Sequence, residues 1–321
     1  MARTKGDMKN QYINTLQDGD TVNDFFVATR KDLRDKRDGG KFLGMVFKDK
    51  TGEMGGVLWK GAAEMAALFE VGDVVNVRAR VSTYQDRLQM QVEQVLPLRD
   101  ADYNIDDLVD KGGNRDDFEQ LKLILDTVTH PFLRQLLDLY FNDAEFVQRF
   151  KTAVAAKKWH HEYQGGLVRH CYEMSRIALT LCDLYPNINR DLLLAGVFLH
   201  DLGKLDEMTH GLFTEYTRDG RLLGHLQIGC DMLIERIRRI PDFPDALRAE
   251  LLHFVLSHHG EPEFGATVRP MTLEAIVLHH IDNLDAQAAA ITRVVGDCQD
   301  AGKEWSDYMP LIERVIYARR P

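Results

Sequence analysis

The first hundred residues of the chain alternate between hydrophobic and polar positions with the period of β-strands. In the segment 88–96, for example, Leu88, Met90 and Val92 alternate with polar residues. One stretch, 61–70, has helical spacing instead. The pattern predicts strands at 21–29, 41–48, 53–59, 73–81 and 88–96. Three strands, one short helix and two further strands are the element order of a five-stranded OB-like β-barrel.

The rest of the chain has apolar residues spaced three and four apart, the period of amphipathic helices. This pattern predicts helices at 118–128, 131–141, 144–156, 167–184, 191–202, 224–239, 244–257, 272–295 and 306–319. A polar segment rich in aspartate separates the two parts. We therefore expect a multidomain α+β protein with a β-barrel domain over 1–100, a linker over 101–117 and an all-α domain over 118–321.

Charge and histidine are distributed unevenly between the two predicted domains. The chain has 321 residues and a formal net charge of −10, yet residues 1–100 hold 16 Lys and Arg against 15 Asp and Glu. All 12 histidines lie at or after His130. The acidic excess therefore belongs to the helical part, and contacts with nucleic-acid phosphates have to be local.

Composition excludes several classes of protein. Hydrophobic residues make up 45% and charged residues 28% of the chain, which excludes disordered and fibrous proteins. No apolar run approaches the ~18 residues of a spanning helix, so we expect no membrane partner. The first ten residues are polar and the four cysteines form no CxxC pair, so we expect a cytoplasmic protein with reduced thiols.

A basic segment of the predicted barrel is the best candidate for nucleic-acid contact. Residues 30–60 carry nine basic and five acidic side chains, and they include the usual binding face of an OB barrel. The candidate nucleic-acid-binding residues are Lys31, Arg34, Lys36, Arg37, Lys41, Phe42, Lys48 and Trp59. We also predict that 31–41 is a mobile loop that contacts the substrate. The alternative is that Phe47 and Trp59 belong to the barrel core and that the charges are merely solvated.

Several histidines and aspartates of the helical part lie at or near predicted helix ends. In chain order they are His170, His200, Asp201, His225, His258 and His259, and Asp282 follows within the predicted helix at 272–295. Imidazole and carboxylate together suit divalent ions such as Mn²⁺, Fe²⁺, Co²⁺, Ni²⁺ or Mg²⁺. The adjacent His200 and Asp201 can share an ion only at a helix end, and Gly203 is predicted to stop the helix there.

A histidine taken alone is more often a helix cap or a surface residue than a metal ligand. We interpret His130, His210 and His253 in this way, as structural residues. His279 and His280 cannot both face one centre from the middle of a helix, so Asp282 is the better ligand in that segment. The ordered series of histidines and aspartates is much more specific than any single member.

The series resembles the signature of a known superfamily. His170, the pair His200-Asp201 and Asp282 match the motif of the HD superfamily of metal-dependent phosphohydrolases. The stretch FLHDLGK at 198–204 is especially similar. The resemblance implies an HD phosphohydrolase domain in the all-α part.

Two further features narrow the resemblance. One is the OB-like barrel, and the other is the segment His160-His161 with the Gly-Gly-Leu sequence at 165–167 that follows it. Together they resemble the YhaM-type 3′→5′ exoribonucleases, which join a nucleic-acid-binding OB domain to an HD domain. The HD core would span 159–296.

The resemblance implies a role for each matching residue. The implied metal ligands are His170, His200, Asp201, His225, His258, His259 and Asp282. Asp201 would bridge two ions if both are bound. Lys204 would neutralise the scissile phosphate, and His161 would contact substrate or protonate the leaving oxygen. The implied catalytic residues are thus Lys204, Asp201 and His161.

The expected function is a metal-dependent 3′→5′ exoribonuclease that hydrolyses single-stranded RNA to nucleoside 5′-monophosphates. Single-stranded DNA is a further expected substrate, and homo-oligomers are a further expected state. We expect one or two divalent ions as cofactor, with Mn²⁺ the first choice.

Two other functions remain open at this stage. One is an HD-type nucleotide phosphohydrolase or cyclic-dinucleotide phosphodiesterase whose barrel regulates or oligomerises the protein. The absence of a Gly-Tyr-Pro element after His258-His259 argues against the cyclic-dinucleotide version. The other is a non-catalytic single-strand-binding protein, for which the ordered series of ligands has no purpose.

Overall fold

The computed structural model describes residues 9–37, 39–85, 87–99, 102–110, 112, 116–157, 159 and 161–319. The chain divides into two compact units. One is formed by Met1–Gly113 with Gly211–Phe213, and the other by Asn114–His210 with Thr214–Pro321. Each unit has its own hydrophobic core, so each buries its apolar side chains independently.

The described part of the first unit is a closed five-stranded barrel with one short α-helix. Its elements are β1 (Thr21–Asp35), β2 (Lys41–Asp49), β3 (Gly52–Leu58), α1 (Ala62–Ala66), β4 (Val74–Tyr84) and β5 (Arg87–Pro97). The order around the barrel is β1-β2-β3-β5-β4. Neighbouring strands are antiparallel except β3 and β5, which are parallel. The predicted OB-like barrel is confirmed.

Strand β1 is longer than the sequence pattern predicts. Residues 30–35 continue the strand and pair with β2 as far as Asp35, which lies opposite Lys41. The prediction of a loop over 31–41 is therefore wrong for 31–35 and for Lys41, which belong to strands. Charged residues dominate this half of the strand, so no apolar alternation identifies it.

Lys31 holds the short helix α1 against the barrel. Its ammonium donates hydrogen bonds to the carbonyl oxygens of Ala66 and Phe69, at 3.1 and 2.6 Å, and to Glu70 Oε2 at 2.8 Å. These three acceptors use all three donors of the ammonium group. Lys31 is thus a structural residue, and the structure does not support its predicted contact with nucleic acid.

The described part of the second unit is helical. Its helices are α2 (Asp117–Leu125), α3 (Pro131–Phe141), α4 (Ala144–Thr152), α5 (Gly166–Leu184), α6 (Arg190–Leu199), α7 (Lys204–Glu207), α8 (Arg218–Ile237), α9 (Asp245–Ser257) and α10 (Leu273–Asp300). Every residue of α6 from Leu192 to Leu199 is buried. This helix therefore lies at the centre of the unit and fixes the residues that follow it. Among these helices, none is long and apolar enough to cross a membrane.

The last predicted helix, at 306–319, is wrong. The residues there form turns and isolated antiparallel bridges, one of which joins Trp305 to Tyr317. Pro310 lies inside the segment and has no N–H to donate to a helix. Glu313 adopts a φ of 52°, in the left-handed region, so the backbone reverses where the apolar spacing suggested a helix.

Helix α8 begins earlier than predicted and bends in its first half. It starts at Arg218, and Gly224 inside it has φ 72° and ψ 159°. Glycine adopts this non-helical conformation without steric cost. His225 is therefore the first residue after the bend, and the bend sets the direction in which it leaves the backbone.

Candidate metal centre

The buried helix α6 carries His200 and Asp201 at its C-terminal end. Their side chains are 0 and 2% exposed. His200 Nδ1 lies 2.9 Å from the carbonyl oxygen of Val197, and it must donate because a carbonyl only accepts. The other ring nitrogen, Nε2, therefore carries the free lone pair. It lies 3.3 Å from Asp201 Oδ2.

Gly203 is required for a close backbone approach, and its predicted role as a helix stop is wrong. It adopts φ −59° at the start of α7, a conformation open to any residue. A side chain there would lie 2.0 Å from the carbonyl oxygen of His225 and 2.7 Å from the backbone nitrogen of Gly229. Only glycine lets α8 come this near, and the approach brings His225 close to Asp201.

His170 on α5 and Asp282 on α10 face the same centre. His170 Nε2 lies 3.2 Å from Asp282 Oδ1 and 3.9 Å from Asp201 Oδ2. His170 Nδ1 donates a hydrogen bond to Asp285 Oδ2 at 2.6 Å. Together with His200, the residues His170, Asp201 and Asp282 complete the set of four that match the HD motif, and the structure brings all four together.

His225, His258 and His259 form a second group on the other side of Asp201. The rings of His258 and His259 have centroids 4.2 Å apart, and those of His225 and His259 are 5.1 Å apart. Nε2 of His225 and of His258 lie 3.6 and 3.5 Å from Asp201 Oδ1. The first group lies nearer Oδ2, so Asp201 presents one oxygen to each group, which is the arrangement of a bridging carboxylate.

Two carboxylates that the sequence analysis missed orient the ligand histidines. Asp285 accepts from His170, and Glu207 Oε1 accepts from both the side chain and the backbone N–H of His225 at 3.0 Å. Such partners fix the tautomer and direction of a ligand histidine. Asp285 could have been found, because it lies three residues after Asp282 on one helix face. No sequence signal links Glu207 to His225.

The atoms that face the centre match a set of ligands for divalent ions. Three overlapping groups at this centre each have ligand atoms within 4.8 Å of one another: His170, His200 and Asp201; His200, His258 and Asp282; and His225, His258 and His259. Among the described residues at this centre, the buried atoms without a hydrogen bond include Nε2 of His200, His225 and His258, Nδ1 of His259, and Oδ1 of Asp201. Buried polar atoms are almost always paired. Five such atoms directed at one place therefore fit metal coordination.

The ionisation of Asp201, His258 and His259 suits metal binding. Burial alone would raise the pKa of Asp201, but Lys204, whose Nζ lies 2.5 Å from Oδ2, and His200 hold it well below the ordinary value. Burial lowers the pKa of His258, and burial with neighbouring imidazoles lowers that of His259 to about 3. Near neutral pH the carboxylate is thus charged and these imidazoles are neutral, the forms that bind a metal.

His170 differs from these three groups in its ionisation. Burial acts to lower its pKa, but Asp282 and Asp285 together raise the pKa to about 10. Its Nε2 therefore carries a proton while only these carboxylates surround it. An ion bound at this nitrogen has to displace that proton.

The predicted contact of His161 with substrate does not fit the structure, which places His161 behind His170. Its Nε2 lies 3.0 Å from Asp285 Oδ2, and its Nδ1 lies 2.9 Å from the hydroxyl of Tyr163. The residue is buried. Because both ring nitrogens are engaged, His161 positions Asp285. Its neighbour His160 lies outside the described residues.

The remaining histidines do not join the ligand groups in the described residues. His210 and His253 contact backbone groups elsewhere in the helical unit, and His130 is the N-cap residue of α3. On α10, His279 donates to a backbone carbonyl and His280 is exposed. Their interpretation as non-ligands agrees with this geometry.

Two of the candidate nucleic-acid-binding residues form an aromatic pair on the barrel. Phe42 and Trp59 stack with ring centroids 5.1 Å apart. Trp59 is 50% exposed, so it is not a core residue, whereas Phe47 is fully buried in the core. Lys36 Nζ contacts the carbonyl oxygen of Trp59 at 2.6 Å. Arg34 lies opposite Phe42 in the sheet, and Lys48 lies at the other end of β2, opposite Val27. Arg34, Arg37 and Lys41 are exposed and Lys48 is half-buried.

The fold and the site define a protein of two known parts. Residues 27–98 match the family model of the OB-fold nucleic acid binding domain, and residues 167–287 match that of the HD domain. The solution structure of the second OB-fold domain of replication protein A from Methanococcus maripaludis aligns with 28% of this chain and 94% of that domain, at 21% identity and a TM-score of 0.24. The two family matches, taken with the site, make the chain a metal-dependent phosphohydrolase of the HD class with an OB-fold domain.

Two curated relatives match most of the chain. The 3′-5′ exoribonuclease YhaM of Shouchella clausii (strain KSM-K16) is 33% identical over 281 residues, which are 86% of each chain. The 3′-5′ exoribonuclease YhaM of Geobacillus sp. (strain WCH70) is 32% identical over 260 residues, 80% of this chain and 79% of the relative. The chain belongs to the YhaM family of 3′-5′ exoribonucleases.

Proposed function

We propose that the protein is a metal-dependent exoribonuclease that shortens single-stranded RNA from its 3′ end and releases nucleoside 5′-monophosphates. The observation that carries the proposal is the convergence of two groups of ligands on the two oxygens of Asp201. The aromatic pair on the barrel, in which Trp59 is exposed, supports a single strand as substrate, because bases stack on aromatic rings without sequence preference.

The proposal extends to the finer properties of the protein. Stacking does not read the ribose 2′-hydroxyl, which supports single-stranded DNA as a second substrate. The four free cysteines support a cytoplasmic location. We place the domain boundaries at 1–100, 101–117 and 118–321, and the division between the compact units, at 113, falls inside the proposed linker. Homo-oligomerisation stays a prediction.

Two divalent ions, Mn²⁺ first, are the proposed cofactor. The first site would use His170, His200 and Asp282, the second His225, His258 and His259, and Asp201 would serve both. The mixture of imidazole and carboxylate supports Mn²⁺ over ions that prefer thiolate or all-oxygen sites. Ions held in this way polarise a phosphodiester and make water nucleophilic at neutral pH.

The protein's own residues orient and charge this centre. Asp285 and Glu207 fix the tautomers of His170 and His225. Nε2 of each histidine therefore faces the carboxylate of Asp201. Burial acts to lower the pKa of Lys204, but Asp201 raises it above the ordinary value. Lys204 therefore stays protonated and supplies a fixed positive charge for the anionic phosphate.

End-labelled single strands provide the test of this function. RNA labelled at the 5′ end is incubated with the protein and Mn²⁺, and the product sizes are followed in time. A ladder that shortens from the 3′ end, with 5′-monophosphates released, is the expected result. Internal cuts, shortening from the 5′ end, or hydrolysis of free nucleotides in preference to RNA would contradict the proposal.

Replacing Lys204 with methionine should lower kcat by about 10²- to 10³-fold, the usual effect of losing one charge-stabilising group. Methionine keeps much of the volume of the buried stem but removes the charge beside Asp201. The affinity for RNA, measured without Mn²⁺, should not change. A variant with normal kcat would show that Lys204 serves only as a counter-ion of Asp201.

Replacing Trp59 with alanine should weaken RNA binding by about 5-fold to 150-fold, since a stacked base contributes ~1–3 kcal/mol. Fluorescence anisotropy with a labelled oligonucleotide, in the absence of Mn²⁺, measures the affinity. Trp305→Ala is the matched control, because Trp305 is equally exposed, at 52%, but lies in the helical unit. Equal losses in the two variants would argue against the barrel face.

A further inference from the structure

Two of the proposed ligands, His258 and His259, lie at the end of helix α9. A histidine of α10, His279, forms a hydrogen bond to this helix end. His279 Nδ1 lies 2.7 Å from the carbonyl oxygen of His258 and donates a hydrogen bond to it. Helix α9 ends at Ser257, with His258 as its C-cap. The last carbonyls of a helix have no donor within the helix, so a side chain from another helix is a suitable partner here.

Each of the last four carbonyls of this helix end has its own donor. Val255 O accepts from His258 Nδ1 at 3.0 Å, Leu256 O from the backbone N–H of Thr267 at 2.9 Å, and Ser257 O from the backbone N–H of Gly260 at 2.8 Å. The carbonyl of His258 accepts from His279. Of these four donors, His279 alone is a side chain from a different helix, so α10 positions the end of α9 through it.

A second contact of His279 supports the same role. An added side chain at Gly260 would come within 2.3 to 2.7 Å of three ring atoms of His279. Gly260 has a φ of 82°, in the left-handed region that favours glycine. The imidazole therefore packs directly on the turn that follows His259, and it holds this turn through a hydrogen bond and through van der Waals contact.

The turn at 258–260, which His279 contacts, determines the direction of two ligands of the second group. His258 Nε2 lies 3.5 Å from Asp201 Oδ1, and the ring of His259 lies 4.2 Å from that of His258. A change in the turn would move both imidazoles at once. The first group is positioned mainly by other elements, which carry His170, His200 and Asp282. It meets the turn only through His258, whose ligand atom also lies within 4.8 Å of those of His200 and Asp282.

We propose that His279 is a positioning residue for the second ion site, the one formed by His225, His258 and His259. The inference rests on the two-ion centre proposed above. It assigns separate roles to two adjacent histidines, since His280 is exposed and forms no part of the ligand groups in the described residues. His279 acts on the ion through His258 and does not touch substrate.

The experiment titrates the full-length, metal-free protein with Mn²⁺ by calorimetry and counts bound ions by elemental analysis. The wild type should bind two ions. His279→Ala should weaken the second ion by about 10- to 100-fold, the usual effect of losing an outer partner of a ligand histidine, and should weaken the first ion much less. His280→Ala should behave as the wild type.

Two conservative variants separate positioning from general stability. In His279→Asn the amide nitrogen is as many bonds from the backbone as Nδ1 is, so the variant should bind the second ion almost as tightly as the wild type. His279→Gln places its amide nitrogen farther out and should remain weak. The Asn and Gln variants also provide the test if His279→Ala does not fold.

The outcomes distinguish the inference from the proposed function. A wild type that binds fewer than two ions overturns the two-ion centre, and the inference falls with it. A wild type with two ions and a His279→Ala variant with unchanged affinities leaves the centre standing and overturns the role of His279. Equal affinities for the second ion in the Asn and Gln variants would also overturn it.

Discussion

Replacing Asp201 with alanine is expected to reduce RNA hydrolysis at least about a thousandfold, equivalent to about 4 kcal/mol in the activation barrier. Asp201 presents Oδ2 to His170 and His200 and Oδ1 to His225 and His258. The substitution therefore removes a ligand from both proposed ions, and it takes away the group that would hold them together. Rates on end-labelled RNA with Mn²⁺ measure the loss.

The matched control for this variant is Asp206→Ala. Asp206 lies on α7, is half-exposed and pairs with Arg149 at the surface of the helical unit. It should retain normal activity. RNA affinity without Mn²⁺ should be unchanged in both variants, because the aromatic pair lies on the barrel. If Asp201→Ala kept activity within about tenfold of the wild type, the bridging assignment would be wrong.

Replacing Gly203 with alanine is expected to destabilise the helical unit by more than about 3 kcal/mol, at the upper end of what overpacking costs. The added methyl would lie 2.0 Å from the carbonyl oxygen of His225 and 2.7 Å from the backbone nitrogen of Gly229. Backbone atoms of a packed helix cannot rotate away as a side chain can. Helix α8 would have to move, and His225 would move away from Asp201.

Urea unfolding and Mn²⁺ titration measure the two consequences of Gly203→Ala. The control is Gly296→Ala, at a site inside α10 that has no atom within 4 Å of an added side chain. There alanine should stabilise the protein by about 0.5–1 kcal/mol, because it costs less backbone entropy in a helix. Normal stability and normal Mn²⁺ affinity in Gly203→Ala would show that α8 adapts without effect on the site.

The periodicity of the sequence was sufficient to predict most of the architecture. Alternation in the first hundred residues predicted the order of strands and the short helix, and hence the barrel. The bounds of α3, Pro131–Phe141, coincide with the prediction. Its start could be predicted because proline is common at the first helical position. Family membership could also be predicted, since the motif around His200-Asp201 is specific.

Elsewhere the sequence signal was ambiguous for physical reasons. The charged end of β1 lacks apolar alternation, and the segment 306–319 has helical spacing although Pro310 interrupts it. The tertiary neighbours of a residue are also not encoded locally. Glu207 contacts His225 across 18 residues, and the need for Gly203 comes from α8.

The proposed ligands come from separate helices and from the segments between them. An ion that binds them recognises only the folded chain, so ion binding and folding are thermodynamically linked. At a free ion concentration a thousandfold above its Kd, one such site adds about 4 kcal/mol to the free energy of unfolding. The ions proposed for catalysis would thus also act as removable cross-links. The free energy of unfolding of the helical unit would then rise with the concentration of free metal ion.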